Sequence, residues 1–145
     1  MRGHSGVAPR SALAHPVPLV AMLALVINDH WAKAAFDNVI TGKVSDFAGM
    51  IFFPLLLVSM VELVVARPRR VVLVGAIVAT GMVFALVKTW PPMTALYCWG
   101  LGVLQAPVRG VIVPVSIHAD PTDLWALSAL FVPWRVGRAR ITAPG

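Results

Sequence analysis

Apolar residues in this chain fall in blocks. From Val71 to Val87 no residue is charged, and from Thr89 to Val108 there is again none. Each block approaches the ~20 residues that cross a hydrocarbon core of about 30 Å. A first helix is predicted from about Pro16 into Trp31 or beyond, with Pro18 tolerated in its opening turn. A second is predicted from Asp46 to Ala66, N-capped by Ser45, kinked by Pro54 and closed by "RPRR" (Arg67–Arg70). A third covers Val71–Lys88, with small residues four apart at Gly75/Ala79 and Gly81/Ala85 that permit close helix approach. "WPPM" (Trp90–Met93) is a turn. The apolar segment Met93–Ile117 is interrupted by "QAPVRG" (Gln105–Gly110), so it is either a helix ending near Ala106 or a re-entrant pair of half-helices. A last short helix is expected from Pro121 to about Trp134, with Asp120 as N-cap and Asp123 complementing the positive terminus.

Composition turns these blocks into a class. The chain has 145 residues, 59% hydrophobic and 12% charged, with a mean hydropathy of +0.83. A soluble domain carries about a quarter charged residues. The expected fold is therefore all-α: a polytopic transmembrane helix bundle with four to five membrane segments, one layout including a re-entrant hairpin. Residues 1–15 read as a disordered basic cytoplasmic tail, 16–136 as a single transmembrane helical domain, and 137–145 as a basic cytoplasmic tail. An alternative for the start is a cleaved signal peptide, with Arg2 and Arg10 before an apolar run and a small-x-small motif at Ala32–Ala34. The net charge of +6 does not point to nucleic acid, because the arginines sit at the ends of apolar segments, where they set topology. The lone Cys98 excludes an internal disulfide.

The arginines fix an expected orientation. Arg2 and Arg10, then Arg67, Arg69 and Arg70, then Arg135, Arg138 and Arg140 read as cytoplasmic, which places both termini inside and requires an even number of crossings. If Met93–Ile117 enters and leaves on the outer side, "NDHWAK", "TGKVSD", "KTWPP" and "HADPTD" all gather at the outer face. If it crosses, "HADPTD" faces the cytoplasm. The first layout is preferred.

Under it, a cluster of both charge signs forms at one end of the bundle. Asp29 and Lys33 are four apart and pair on a continuing helix. Lys43 and Asp46 flank the next helix start, Lys88 ends the third helix at the same level, and Asp120 and Asp123 open the last. Arg109 lies near the hairpin tip and His118 precedes Asp120. Ionisable groups at membrane depth are costly against lipid and should turn inward. Glu62 is expected to reach Arg69 or Arg70 instead. His30 and His118 are isolated and no zinc, Walker or dinucleotide spacing occurs, so no metal, cofactor or catalytic residue is assigned. Ser45, Asp46 and His30 hold the letters of a nucleophilic triad, but nothing fixes their geometry.

The stretches "SDFAGMIFFPLLL" and "HADPTDLWAL" resemble those of the VanZ-like group of small bacterial multi-pass proteins, and the chain is more broadly similar to small bacterial multi-pass membrane proteins. The resemblance covers about a third of the chain. It makes Asp46, Asp120 and Asp123 the matching positions and implies a cell-envelope protein, with a role at lipid-linked glycans or in glycopeptide tolerance. The sequence departs from that pattern at His118, where an arginine is expected, at Lys88, where an acidic residue is common, and at Leu127, which is not an asparagine. The function expected from residues and resemblance together is binding of a polar or anionic ligand, such as a lipid headgroup, at the outer-face cluster of a cell-membrane protein. The alternatives are an accessory subunit of a larger membrane complex, or a small homo-oligomeric transport or proton-relay protein. An enzyme is the least favoured reading.

Overall fold

A computed structural model describes residues 12–28, 39–65, 70–114, 116–117 and 120–142. The described residues are helical throughout their regular structure. Five α-helices occur in them: α1 (Pro16–Ile27), α2 (Val39–Glu62), α3 (Arg70–Thr89), α4 (Pro91–Arg109) and α5 (Phe131–Thr142). A 3₁₀ segment, Pro121–Leu130, runs directly into α5. Two of the helices are long and apolar enough to cross a membrane, over Ile40–Glu62 and Arg70–Thr89, and well under half of either is buried inside the protein.

α2 and α3 form an antiparallel pair, and two further elements pack on it. α1 lies along α2: the Leu13 amide donates to Ser59 Oγ at one end (3.1 Å), and Asn28 Nδ2 donates to the Thr41 carbonyl at the other (2.7 Å). Between those anchors α2 rises about 27 Å at 1.5 Å per residue. The 3₁₀ segment and α5 lie antiparallel to α3. Lys88 meets Asp123, Gly81 meets Leu130, and Leu73 meets Gly137. Two apolar layers fill the space between: Met50, Phe84, Ala126 and Ala129 near the Lys88 end, and Val58, Leu73 and Ala76 with Trp134 and Ile141 near the other.

Pro133 falls in the first turn of α5, where its missing amide and its ring cost least. With three residues per turn, Asp123, Ala126 and Ala129 stack on one buried line. The buried spacing then widens to four at Pro133 and Gly137, matching α geometry. Ten residues rising about 2.0 Å each and twelve rising about 1.5 Å each make a rod of about 38 Å.

Several expected boundaries shift. α2 begins at Val39, seven residues before Asp46, because "VITGKV" is compatible with helix and Asn28 docks on it from α1. Ser45 therefore does not cap α2; its hydroxyl accepts from Asn28 Nδ2 at 2.7 Å. Pro54 is accommodated inside the helix, where its side chain is fully buried. α4 continues through Pro107 and stops at Gly110, whose φ of 72° needs a residue without a Cβ. The last helix continues past Trp134 to Thr142, since α5 packs its Gly137 face on Leu73 and holds Arg140 against Glu62.

α4 and the segment after it begin and end at the same end of the bundle. Thr94 Oγ1 donates to the Val87 carbonyl at the α3–α4 corner, and three residues past Asp120 the chain is back in contact with Lys88. The returning strand passes so close to α4 that a Cβ on Gly102 would lie 2.5 Å from the Val113 carbonyl oxygen. Of the four small residues noted on α3, Gly81 faces Leu127 and Leu130, whereas Gly75 has open space around it.

Candidate functional site

Four ionisable side chains from three elements meet at the α3–α4 end of the bundle. Lys88, in the last turn of α3, places its Nζ 2.7 Å from Asp123 Oδ2 and 2.7 Å from Asp46 Oδ2. Lys43, one turn before Asp46 on α2, reaches Asp123 Oδ1 at 2.9 Å and Thr122 Oγ1 at 3.0 Å. Charges alternate along Lys43–Asp123–Lys88–Asp46, so each buried charge has an opposite neighbour, the condition under which burial is tolerated. The helix ends assist. An ammonium at the C-terminus of α3 and a carboxylate in the first turn of the 3₁₀ segment each oppose the local backbone dipole.

Burial is graded. The Lys88 and Asp123 side chains are 7% and 9% exposed and Asp46 17%, whereas Lys43 is 36% exposed. The Phe84 ring lies 5.6 Å from the Lys88 ammonium, an additional cation–π contact beneath it. Lys43 opens onto a cleft of about 320 Å³ walled also by Phe47, Thr122, Asp123 and Trp125. An ammonium has three donors, and two of those on Lys43 are engaged by Asp123 and Thr122. Asp120 stands beside this cleft as the N-cap, its Oδ1 accepting the Thr122 amide at 2.8 Å.

The structure thus brings together Lys43, Asp46, Lys88 and Asp123, with Asp120 adjoining through Thr122. Asp29, Lys33 and His118 lie outside the described residues, as does the side chain of Arg109, the last residue of α4. Glu62 Oε1 accepts from Arg140 Nη1 at 3.0 Å at the opposite end, a partner 78 residues away; of the two partners expected from the sequence, Arg69 lies outside the described residues. Three contributors lie in or beside the stretches read as an outer-face cluster but were not assigned as site residues: Asn28 in "NDHWAK", Thr122 in "HADPTD", and Trp125 just after it. Asn28 is buried and bonded to both Thr41 and Ser45, which fixes the start of α2 on α1 and so the height of Lys43.

An apolar groove of about 680 Å³ adjoins the charged end. It runs between α1 and α2 and shares Lys43 and Phe47 with the smaller cleft. Among the described residues no group of three His, Cys, Asp or Glu side chains is arranged to hold a metal ion. No protein-family model matches the sequence, and neither a curated protein nor a solved structure is similar to it.

Proposed function

We propose that this protein is a multi-pass membrane protein that binds the phosphate of a polar headgroup at the Lys43 cleft. The observation that carries the reading is the position of Lys43. It is the most exposed member of the charge network, two of its three donors are engaged among the described residues, and it faces a cleft lined by a hydroxyl and an indole. The rest of the network serves as its support. Asp123 is held on its far side by Lys88, so Lys43 is presented at a fixed place without being neutralised in isolation.

This end presents both charge signs, with Lys43 and Lys88 among Asp46, Asp120 and Asp123, which suits a headgroup that itself carries both signs, such as phosphoethanolamine. The two aspartate-bearing motifs that resemble the VanZ-like group also meet here, Asp46 and Asp123 sharing Lys88.

The layout taken here has four crossings: α2 and α3, which have the length and apolarity to span, the rod of 3₁₀ segment plus α5, and α1, whose 12 residues reach about 18 Å and cross only with the chain on either side of them. α4 and its return strand form a hairpin entered and left from the lysine–aspartate side. Arg70, Arg138 and Arg140 then lie together at the opposite, cytoplasmic side. The apolar exterior supports immersion, since Val78 and Met82 in the middle of α3, 52% and 59% exposed, and the outward faces of α2 and α3 would otherwise lie against water.

The test is titration of detergent-solubilised full chain with phosphoethanolamine, read by calorimetry, for the native protein and Lys43→Gln. Saturable binding that Lys43→Gln abolishes is expected; binding indifferent to Lys43→Gln contradicts the proposal. A second reading has its own observation: the alternating chain from half-exposed Lys43 to Asp46 could pass protons. Proton flux in liposomes that disappears in Asp46→Asn would favour it.

A further inference from the structure

The groove and the cleft are two parts of one surface. The groove walls come from Val17, Val20 and Ala24 on α1 and from Val44 and Phe47 on α2, and Lys43 is the charged residue on its rim. From Val17 to Ala24 the wall extends about 10 Å along the helix axis. Past Lys43 and Phe47 the walls stay largely apolar, with Trp125 and Ala126, but the polar groups of Thr122 and Asp123 gather there beside the Lys43 ammonium. An apolar surface whose few polar groups gather at one end matches an amphiphile with one headgroup and one long chain. Its volume is within the range of about 300–1,000 Å³ used for small-molecule sites.

We infer that the α1–α2 groove holds one acyl chain of a phospholipid whose phosphate rests on Lys43 and Thr122 in the adjoining cleft. This rests on the headgroup reading above and adds that the ligand is a membrane lipid and not a free phosphate ester. Lys43 is the hinge of the arrangement, since its stem borders the groove while its ammonium faces the cleft. Asn28 contributes indirectly by pinning α1 to Thr41 and Ser45, which sets the groove width beside Lys43.

Val20 offers a way to block the groove alone, because it lines it while being 66% exposed and outside the buried α1–α2 contact at Ala21. The full chain, extracted in detergent and examined by native mass spectrometry with phosphatidylethanolamines of increasing chain length, should retain one lipid, more firmly as the chain lengthens. In Val20→Trp, excluding two methylenes should lower long-chain retention about tenfold. Binding of free phosphoethanolamine should be unchanged, and Val74→Trp, on an exposed face of α3, should match the native protein. Retention independent of chain length in the native protein overturns the inference even if Val20→Trp fails to fold. Undiminished lipid in Val20→Trp, with phosphoethanolamine still bound, overturns it while leaving the headgroup reading intact. Absence of both probes overturns the two together. A native dimer that Val20→Trp converts to monomer, with lipid unchanged, assigns the groove to a second copy and overturns it as well.

Discussion

Asp123→Asn removes the carboxylate shared by both lysines while keeping the side-chain volume. Lys88, 7% exposed, loses its 2.7 Å partner and retains Asp46. Breaking one side of a buried ion pair costs about 3–5 kcal/mol, and the surviving carboxylate puts this case at the lower end, about 3 kcal/mol. Lys43, 36% exposed, can turn to water, so its lost pair adds at most about 1 kcal/mol after screening. For a chain of this size the sum, about 3–4 kcal/mol, corresponds to a fall in Tm of about 6–16 °C. Thermal unfolding in detergent, followed by tryptophan fluorescence, gives the number. Lys88→Met as the second arm of a double-mutant cycle should show coupling above about 1.5 kcal/mol, because the aspartates no longer have a shared cation to lose. A loss under about 1 kcal/mol for Asp123→Asn, or strict additivity with Lys88→Met, would refute the claim that the network closes this end of the bundle.

Glu62→Gln should cost less than Asp123→Asn, about 1 kcal/mol in the same assay, because its pair with Arg140 is partly open to solvent on both sides. Gly137→Ala places a Cβ 2.6 Å from a Leu73 methyl that is itself fully buried, so a loss of about 1–3 kcal/mol is expected, relieved in part by Leu73→Val. Gly102→Ala sets a Cβ 2.5 Å from the Val113 carbonyl oxygen; accelerated proteolysis between Gly110 and Asp120 should follow, and an unchanged digestion pattern would show that the strand does not pack there. In a Cys98→Ala background, Thr122→Cys should react with an impermeant thiol reagent added to spheroplasts of an expressing host, whereas Leu63→Cys should react only after permeabilisation. Labelling of Thr122→Cys only after permeabilisation would remove the proposed side assignment.

Helix existence was legible from the chain because it depends on local quantities. Long apolar blocks, Asp120-Pro121 at a helix start and Gly110 after "QAPVR" each act within a turn, and α3, the capped 3₁₀ segment and the end of α4 sit close to where those signals put them. The charged members of one end were legible too, since antiparallel helices joined by short loops return Lys88 to the level of Lys43. Partner choice was not legible. Whether Asp123 meets Lys43, Lys88 or neither depends on how the rod rotates about its axis, and that rotation follows from the 3₁₀ geometry that stacks Asp123 on Ala126 and Ala129. Glu62 likewise found Arg140 across the bundle, a contact between residues 78 apart that no local pattern encodes. The groove beside Lys43 exists because Asn28 fixes α1 against α2 at a particular height. Composition and spacing determined which residues must leave water and which must not. Only packing of the four elements decided which charges neutralise one another, because a buried ion's energy depends on neighbours within a few ångströms and not on its place along the chain.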